Sequence, residues 1–343
     1  MVELTKGNIL DADVNAHVNT VNTVGVMGKG IALQFKQAFP RNYELYQRAC
    51  ARGEVVPGKM FVVPTNRLSN PKFIINFPTK RHWKGKSRMD DITAGLADLV
   101  EVIRRENIRS IAIPPLGCGN GGLNWDDVRP RILSALSVLP DVKVLVFTPE
   151  GAPAVEDMPV ATAPPRMNQN RAALITMMLD YGIPGYRLTL LEIQKLAYLL
   201  QIAGQPLALK FVKQKYGPYA EELNFVLQRM EGHFIRGYGD RSREASVRVI
   251  PEAMTEASKF LADDNATMDR INRVSDLIEG FENPHGMELL TTVHWILNED
   301  SSAKTDSALA VKLVHTWNDR KRRIFPRPHV LAALEQLVEK GWV

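Results

Sequence analysis

A strongly basic segment follows a run of residues typical of a buried strand. Residues 76–88 read NFPTKRHWKGKSR, directly after the apolar run FII at 73–75, and contain five cations, one histidine and one tryptophan. Clustered lysines and arginines suit the phosphates of an anionic ligand, and an aromatic ring among them offers a face on which an unpaired base can stack. The segment is therefore a candidate binding site for nucleic acid.

Two glycine-rich loops are candidate sites for a smaller anion. The loops NTVNTVGVMGKGIA at 19–32 and PPLGCGNGGLNW at 114–125 each run from an apolar strand into a helix. Their glycines allow tight turns and direct backbone N–H groups toward a helix N-terminus, where anions bind. Taken singly, each could be an ordinary tight turn. Neither loop has the Lys-Ser/Thr ending of a P-loop or a Rossmann dinucleotide fingerprint, which argues against an ordinary NTPase or dehydrogenase.

The first half of the chain alternates patterns typical of strands and helices. This order predicts an α/β fold in three layers, α/β/α, with a sheet covered by helices on both faces. Both glycine loops follow strand ends, at the edge of an open α/β sheet where ligands bind. The predicted strands are 14–22, 59–65, 72–78, 108–117 and 142–149, and the predicted helices are 30–40, 90–107 and 125–136.

The second half is almost wholly helical in pattern, from 171–182 and 189–204 to 328–343. Between the halves, EGAPAVEDMPVATAPPRMNQN at 150–170 has four prolines and no sustained hydrophobic period, as linkers do. We therefore predict a first domain at 1–152, a linker at 153–166 and a mainly helical domain at 167–343.

Composition narrows the class of protein further. A chain of 343 residues with 45% apolar residues is long enough for about two globular domains. Cys50 and Cys118 cannot form a disulfide framework, no metal-ligand spacing surrounds them, and no signal peptide or membrane span is apparent, so we expect a cytoplasmic protein that binds no metal and no membrane. Residues 1–155 hold 20 lysines and arginines against 14 acidic residues, whereas the remainder holds 23 against 24. The basic excess of the first half suits an anionic ligand or nucleic acid.

Three motifs together resemble a macrodomain, the ADP-ribose-binding α/β/α module, across about residues 1–150. They are KGNIL near the N-terminus, VNTVNTVGVMGKGIALQFK and PPLGCGNGGLNW. With NFPTKRHWK and a helical second half, the chain is similar to the DarG antitoxin family. The resemblance implies a glycohydrolase that removes ADP-ribose from thymidine bases of single-stranded DNA, without a cofactor, and so reverses a DarT-type toxin. The alternative is a non-catalytic macrodomain that reads ADP-ribose without cleaving it.

The resemblance also implies an ADP-ribose site. Asn8 and Ile9 would lie near the adenine and Asn22 near the distal ribose, although Asn22 could be a turn former and Ile9 simply a core residue. The backbone amides of the two glycine loops would face the pyrophosphate. The residues that would line and close over the phosphates are Met27, Gly28, Lys29, Gly30, Ile31, Gly117, Cys118, Gly119, Asn120, Gly121, Gly122 and Leu123.

Lys80 corresponds to the lysine to which catalysis in the DarG family is assigned. Such an amine can attack C1 of an opened ribose or donate a proton to the departing base when its pKa is lowered by burial or by cationic neighbours, which the nearby cations would be if they fold close to it. The alternative is a solvated surface charge. Related lysine-dependent macrodomains have an aspartate in the second loop, but this chain has Asn120-Gly121-Gly122 there. We expect Cys118 to be a small packed residue rather than a nucleophile.

Two further roles are predicted for the remaining motifs. Arg81, His82, Trp83 and Lys84 are expected to bind the DNA that carries the ADP-ribose. The run at 188–230 resembles the Panacea or SocA-like antitoxin domain, in which a Gln-Lys-Leu helix precedes a Tyr-Gly-Pro turn. This resemblance implies that the second domain binds the toxin.

Overall fold

The structure is a computed structural model that describes residues 1–150, 158–182, 185–239 and 245–343. It divides into two compact units, Met1–Ala163 and Pro164–Val343. Residues 151–157, which include the first part of the predicted linker, lie outside the described residues. Beyond them, the Ala161 amide donates to the Gln37 carbonyl at 2.9 Å, so this later part of the segment packs onto the first unit.

The first unit is built on a six-stranded sheet in the order β1-β6-β5-β2-β4-β3. Neighbouring strands are parallel except β3, which runs antiparallel to β4 at one edge. The central β2 is almost continuously buried, because helices cover both faces of a mostly parallel sheet. The strands are β1 (Val2–Thr5), β2 (Ala16–Asn22), β3 (Phe61–Pro64), β4 (Phe73–Lys80), β5 (Ser110–Ile113) and β6 (Lys143–Phe147).

Among the described residues of this unit, four α-helices accompany the sheet and confirm the predicted three-layer α/β/α fold. The sequence predicted one helix at 30–40, whereas the structure ends α1 before Phe39 and begins α2 at Pro40, because proline is well suited to the first turn of a helix. A Cβ added at Gly95 of α3 would lie 2.3 Å from Phe77 Cζ, so this glycine lets α3 pack closely on β4. The helices are α1 (Gly30–Ala38), α2 (Pro40–Ala51), α3 (Met89–Arg105) and α4 (Trp125–Leu136).

The second unit is mainly helical, as predicted, and has its own hydrophobic core. Short strands accompany the helices: β7 (Leu188–Thr189), β10 (Ile235–Arg236) and β11 (Ser246–Val249) form one sheet, and β8 (Val212–Gln214) and β9 (Gly217–Tyr219) form a hairpin. The helices are α5 (Gln169–Tyr181), α6 (Leu190–Ile202), α7 (Glu221–Met230), α8 (Pro251–Leu261), α9 (Asn265–Ile278), α10 (Pro284–Glu299), α11 (Ser307–Trp317), α12 (Asp319–Ile324) and α13 (Arg327–Glu339).

None of the helices in the described ranges combines the length and the apolar character that crossing a bilayer requires.

Candidate active site

The candidate site lies at the carboxyl ends of the parallel strands of the first unit. Asn22 ends β2 and Lys80 ends β4, and the two are register partners across these neighbouring strands. The register shifts between Val21 and Asn22, because Val21 pairs with Pro78 and leaves Thr79 as an extra residue on β4. The bulge therefore brings Lys80, rather than Thr79, level with Asn22.

Asn22 organises the first glycine loop. Its Nδ2 donates to the Val26 carbonyl at 2.5 Å, and its Oδ1 accepts from the amides of Val24 at 3.0 Å and Val26 at 3.3 Å. The hydroxyl of Tyr46 on α2 donates to the Asn22 carbonyl at 2.6 Å. The side chain of Asn22 thus acts as a turn former, and it holds the loop in shape beside the end of β2.

The first glycine loop ends at a helix N-terminus that no side chain caps in the described part of the chain. Lys29 occupies the N-cap position without a side-chain hydrogen bond to the helix, and the first turn contains no acidic residue. Gly30 has φ +57, a conformation that favours glycine, and Gly28 precedes this turn. The first backbone amides of α1, beginning at Gly30, therefore offer an anion-binding position with positive partial charge.

Met27 differs from its predicted role in this loop. Its side chain is buried in a small hydrophobic cluster with Val21, Tyr46, Ala49 and Val55. A side chain packed in that core does not line a phosphate, so only the backbone of Met27 remains available to a ligand.

The second glycine loop approaches both the first loop and the basic segment. A Cβ added at Gly30 would lie 3.0 Å from Asn120 Nδ2, which places the two loops face to face. The Ser87 amide donates to the Gly121 carbonyl at 3.0 Å. A Cβ added at Gly121 would lie 2.3 Å from both Ser87 Oγ and the Gly117 carbonyl oxygen, so this position accepts only glycine without a shift of its neighbours.

Internal hydrogen bonds fix the shape of the second loop. The Gly122 amide donates to the Gly119 carbonyl at 3.0 Å, and the Leu123 amide donates to the Gly117 carbonyl at 3.1 Å. Both Gly117 and Gly122 have positive φ, +71 and +76. These turns account for the dense spacing of glycine in the motif.

Lys80 points to the second loop. Its ammonium donates a hydrogen bond to the backbone carbonyl of Asn120. Burial lowers the pKa of Lys80 below the ordinary lysine value. Of the two causes that the sequence suggests, burial and neighbouring cations, burial is the one that acts here. Among the described residues Lys80 forms no ion pair with a carboxylate, in keeping with the absent aspartate in the loop. An amine with a lowered pKa is more readily available as a nucleophile at neutral pH.

Cys118 is unsuited to nucleophilic chemistry. Its Sγ donates weakly to the Leu116 carbonyl at 3.4 Å, and it packs against the main hydrophobic core of the first unit. Burial raises the pKa of the Cys118 thiol to about 11, so the reactive thiolate is scarce at neutral pH.

The basic segment after β4 carries an exposed aromatic platform. The rings of His82 and Trp83 stack with centroids 5.5 Å apart, and Lys84 Nζ lies 4.9 Å from the centre of the Trp83 ring. Trp83 is 50% exposed, so a base can reach it. Arg81 is less available than predicted, because its guanidinium makes two hydrogen bonds to Asp91 at the start of α3, at 3.0 and 3.3 Å.

Asn8 and Ile9 follow β1 on the same edge of the sheet. The Asn8 Oδ1 accepts from the Leu10 amide at 3.0 Å and caps a short 3-10 helix at Ile9–Asp11, whereas its buried Nδ2 finds no hydrogen-bond partner among the described residues. Ile9 is buried in the same cluster against which Ile31 packs. The structure therefore joins the end of β1 to the start of α1 through a shared core contact.

Sequence reasoning missed two supporting residues, Tyr46 and Ser87. Tyr46 is fully buried and holds the Asn22 carbonyl, and Ser87 is bonded to Gly121. An amphipathic pattern after Pro40 could have revealed α2 and hence Tyr46. Nothing in the local sequence distinguishes Ser87 from the other residues of the basic segment.

A buried amide network beneath the site was also missed. Asn19 on β2 donates to Asn76 Oδ1 on β4 at 3.0 Å, and Asn76 exchanges hydrogen bonds with Asn42 of α2 at 2.7 and 3.2 Å. Asn19 Nδ2 also lies 3.8 Å from the Met27 sulfur. These buried contacts tie the two site-bearing strands and the first loop to α2.

In the second unit, the Gln-Lys-Leu and Tyr-Gly-Pro motifs meet. Gln194 of α6 exchanges two hydrogen bonds of 2.9 Å with the backbone of Ala220. The next residue, Lys195, donates to the Pro218 carbonyl at 2.7 Å. Helix α6 is thus hydrogen-bonded to β9, the second strand of the hairpin, and to the residue after it, so the predicted motif has a structural role.

Comparison with known proteins shows related chains. The Macro domain family matches residues 18–132. A protein of Thermus aquaticus named DNA ADP-ribosyl glycohydrolase is 48% identical over 341 residues, covering 99% of this chain and 94% of the relative. A Thermosipho africanus DNA ADP-ribosyl transferase-DNA ADP-ribosyl glycohydrolase fusion protein is 35% identical over 163 residues, covering 43% of this chain and 42% of the fusion. The solved macrodomain of Mycobacterium tuberculosis DarG is 57% identical, covering 44% of this chain and 99% of that one, with a TM-score of 0.43.

Proposed function

Because this chain belongs to the family of DNA ADP-ribosyl glycohydrolases, which are hydrolases, we propose that it removes ADP-ribose from thymidine bases of single-stranded DNA and thereby reverses the action of a DarT-type toxin. Membership of an enzyme family argues against the alternative of a reader that binds ADP-ribose without cleaving it. The single observation that best supports the proposal is the convergence of Lys80, the uncapped start of α1 and the second glycine loop at one sheet edge.

Each part of this edge suits one part of the substrate. The amides at the start of α1 and in the second loop suit the pyrophosphate, which needs convergent N–H groups more than side-chain cations. The amine of Lys80 lies against Asn120 of that loop. The stacked rings of His82 and Trp83, with Lys84 beside them, suit a neighbouring base and its phosphate.

Lys80 is proposed to act as the nucleophile. The C1–O4 bond of the distal ribose breaks as O4 takes a proton, which leaves C1 double-bonded to the positively charged base nitrogen. The amine of Lys80 adds to C1 and loses a proton. The bond from C1 to the base nitrogen then breaks as that nitrogen takes a proton, and C1 is left as an imine with Lys80. Water hydrolyses the resulting imine, which releases ADP-ribose and restores the amine. Burial lowers the pKa of Lys80 and so increases the share of the free amine, which is the form that this addition requires.

The test is to incubate the protein with a single-stranded oligonucleotide that carries ADP-ribose on one thymidine. We expect unmodified DNA and free ADP-ribose, separated by chromatography. Borohydride added during turnover should reduce the imine and attach ADP-ribose covalently to Lys80, which peptide mass spectrometry detects. Turnover without any trapped adduct would leave the activity intact but favour the proton-donor role.

For the second unit, we propose that it binds and sequesters the toxin. The Thermosipho relative joins a transferase and a glycohydrolase in one chain, which supports a close association of the two activities. A toxin that binds DNA should present a basic groove, and residues 156–343 lack the positive excess of the first half and so would not be repelled. Added salt or single-stranded DNA should weaken the complex. Full-length protein with Lys80→Ala should still protect toxin-expressing cells in part, and complete loss of protection by folded protein would contradict sequestration.

A further inference from the structure

The hairpin of the second unit presents a surface that combines cations with aromatic rings. Lys213 and Lys215 are exposed, and Lys213 Nζ lies 4.4 Å from the centre of the Trp317 ring. Arg320 lies 4.8 Å from the centre of the Tyr216 ring, and Lys215 lies 5.4 Å from it. These five residues, Lys213, Lys215, Tyr216, Trp317 and Arg320, are called the cationic hairpin surface below.

This surface is held rigidly from two sides. Beneath it, Lys195 donates a hydrogen bond to the Pro218 carbonyl. A Cβ added at Gly217 would lie 3.1 Å from Thr292 Oγ1, so the hairpin packs closely on α10. From the side, Trp317 Nε1 donates to the Gln214 carbonyl at 2.9 Å and Asn318 Nδ2 donates to the Lys215 carbonyl at 3.1 Å. A preorganised surface loses less conformational entropy when it binds a ligand.

The cations of the cationic hairpin surface outnumber the carboxylates that contact them. Glu288 is shared by Lys321 at 2.9 Å and by Arg320, and Glu299 lies 3.4 Å from Lys213. The surplus favours a polyanion over a neutral partner.

We propose that the cationic hairpin surface is a second binding site for single-stranded nucleic acid. In this proposal the exposed Lys213 and Lys215 move from the faces of Trp317 and Tyr216 to contact phosphates, and unpaired bases stack on the rings in their place. The same chemical pairing, a lysine ammonium beside a tryptophan ring, occurs at Lys84 and Trp83 in the first unit. The inference rests on the proposed function only in taking DNA as the nucleic acid of interest. It assigns this surface no part in cleavage.

The experiment measures binding of the full chain to unmodified, fluorescent oligo-dT of about 30 nucleotides, a length that spans several typical single-strand sites. Lys213→Glu with Lys215→Glu should weaken binding about tenfold. The slope of log affinity against log salt should fall by about 1.4, since two phosphate contacts are lost. Lys259→Glu with Lys304→Glu, which reverses two exposed lysines elsewhere in the same unit, should change neither.

Two further readouts separate this site from the active site and from a protein-binding role. Ultraviolet crosslinking of the oligonucleotide should label the peptide that contains Tyr216, and Tyr216→Ala should weaken binding. Turnover of a short ADP-ribosylated oligonucleotide should be unchanged in both double lysine variants. Loss of nucleic-acid binding at the hairpin can therefore be told apart from loss of the proposed glycohydrolase activity. The proposal is overturned if the hairpin and control variants bind alike, or if polyglutamate displaces the DNA while Tyr216→Ala has no effect, which would identify an acidic protein as the partner.

Discussion

Asn22 and Lys80 stand side by side as register partners at the ends of two adjacent parallel strands. One shapes the first glycine loop through hydrogen bonds to Val24 and Val26, and the other reaches the second loop at Asn120. The sheet therefore sets the spacing between the group assigned to chemistry and the loop assigned to binding. A change in either residue should affect one of these roles more than the other.

Replacement of Lys80 by alanine should abolish turnover while ADP-ribose affinity changes little. The amine is assigned to bond cleavage, whereas backbone amides of the two loops are assigned to binding. Chromatography of the cleaved oligonucleotide measures turnover, and calorimetry measures affinity. Lys143→Ala, at the start of β6 on the opposite edge of the sheet, is the matched control and should behave as wild type. Cleavage at the normal rate by the Lys80 variant would refute the assignment.

Gly121 and Gly119 should respond differently to the same substitution. Alanine at Gly121 meets Ser87 Oγ and the Gly117 oxygen, whereas a Cβ at Gly119 has no heavy atom within 4 Å. Gly121→Ala should displace the second loop and lower turnover by about a hundredfold, the cost of misplacing a reacting group by roughly 1 Å. Gly119→Ala should keep near-normal turnover and ADP-ribose affinity. Equal effects of the two substitutions would show that the packing against Ser87 does not position the loop.

Trp83→Ala should weaken use of modified DNA more than binding of free ADP-ribose. The exposed ring is assigned to a base of the DNA, and the loss of such stacking costs about 1–3 kcal/mol. Comparison of the affinity for modified oligonucleotide with that for ADP-ribose measures the difference. Equal losses on both ligands would count against a DNA-binding role for the basic segment.

Arg81→Ala should also weaken use of modified DNA more than binding of free ADP-ribose. Unlike Trp83→Ala, it should in addition lower the stability of the protein. Arg81 is bonded to Asp91, whose carboxylate is largely buried at the start of α3. Removing the guanidinium leaves that carboxylate without this partner, so the thermal midpoint should fall relative to Trp83→Ala. Thermal unfolding followed by circular dichroism tests the difference between the two variants, and an equal midpoint would indicate that the ion pair contributes nothing to stability.

The stability of the second unit should rise with pH above neutrality. Burial, aided by the nearby charge of Lys321, lowers the pKa of Lys195 to about 7. In the unfolded chain this lysine keeps its proton up to about pH 10, so over that interval the unfolded state binds more protons and the free energy of unfolding increases with pH. Urea unfolding at about pH 7 and about pH 9 measures the rise. Lys195→Met should reduce it and Lys259→Met should not, whereas an unchanged rise in Lys195→Met would assign it to other groups.

Much of the first unit could be predicted from its sequence. Parallel strands covered on both faces are recognisable as nearly continuous apolar runs, so β2, β4, β5 and β6 were located to within a few residues. Glycine clusters at strand ends indicated both loops, because only glycine adopts such turns easily. The single helix predicted at 30–40 is wrong at its end, since a second helix begins at Pro40.

The tertiary structure alone decided how these parts meet. The sequence places Lys80 in a run of cations and leaves two causes open for a lowered pKa, burial or those cations, whereas the fold pairs Arg81 with Asp91 and partly buries Lys80 against Asn120. The fold also buries the Met27 side chain in a hydrophobic cluster and places Ser87 against Gly121. Local sequence records strand ends, turns and residue types, because these depend on near neighbours along the chain. Desolvation and contact depend on residues that are distant in sequence, so the chemical state of Lys80 is set only when the sheet and both loops are assembled.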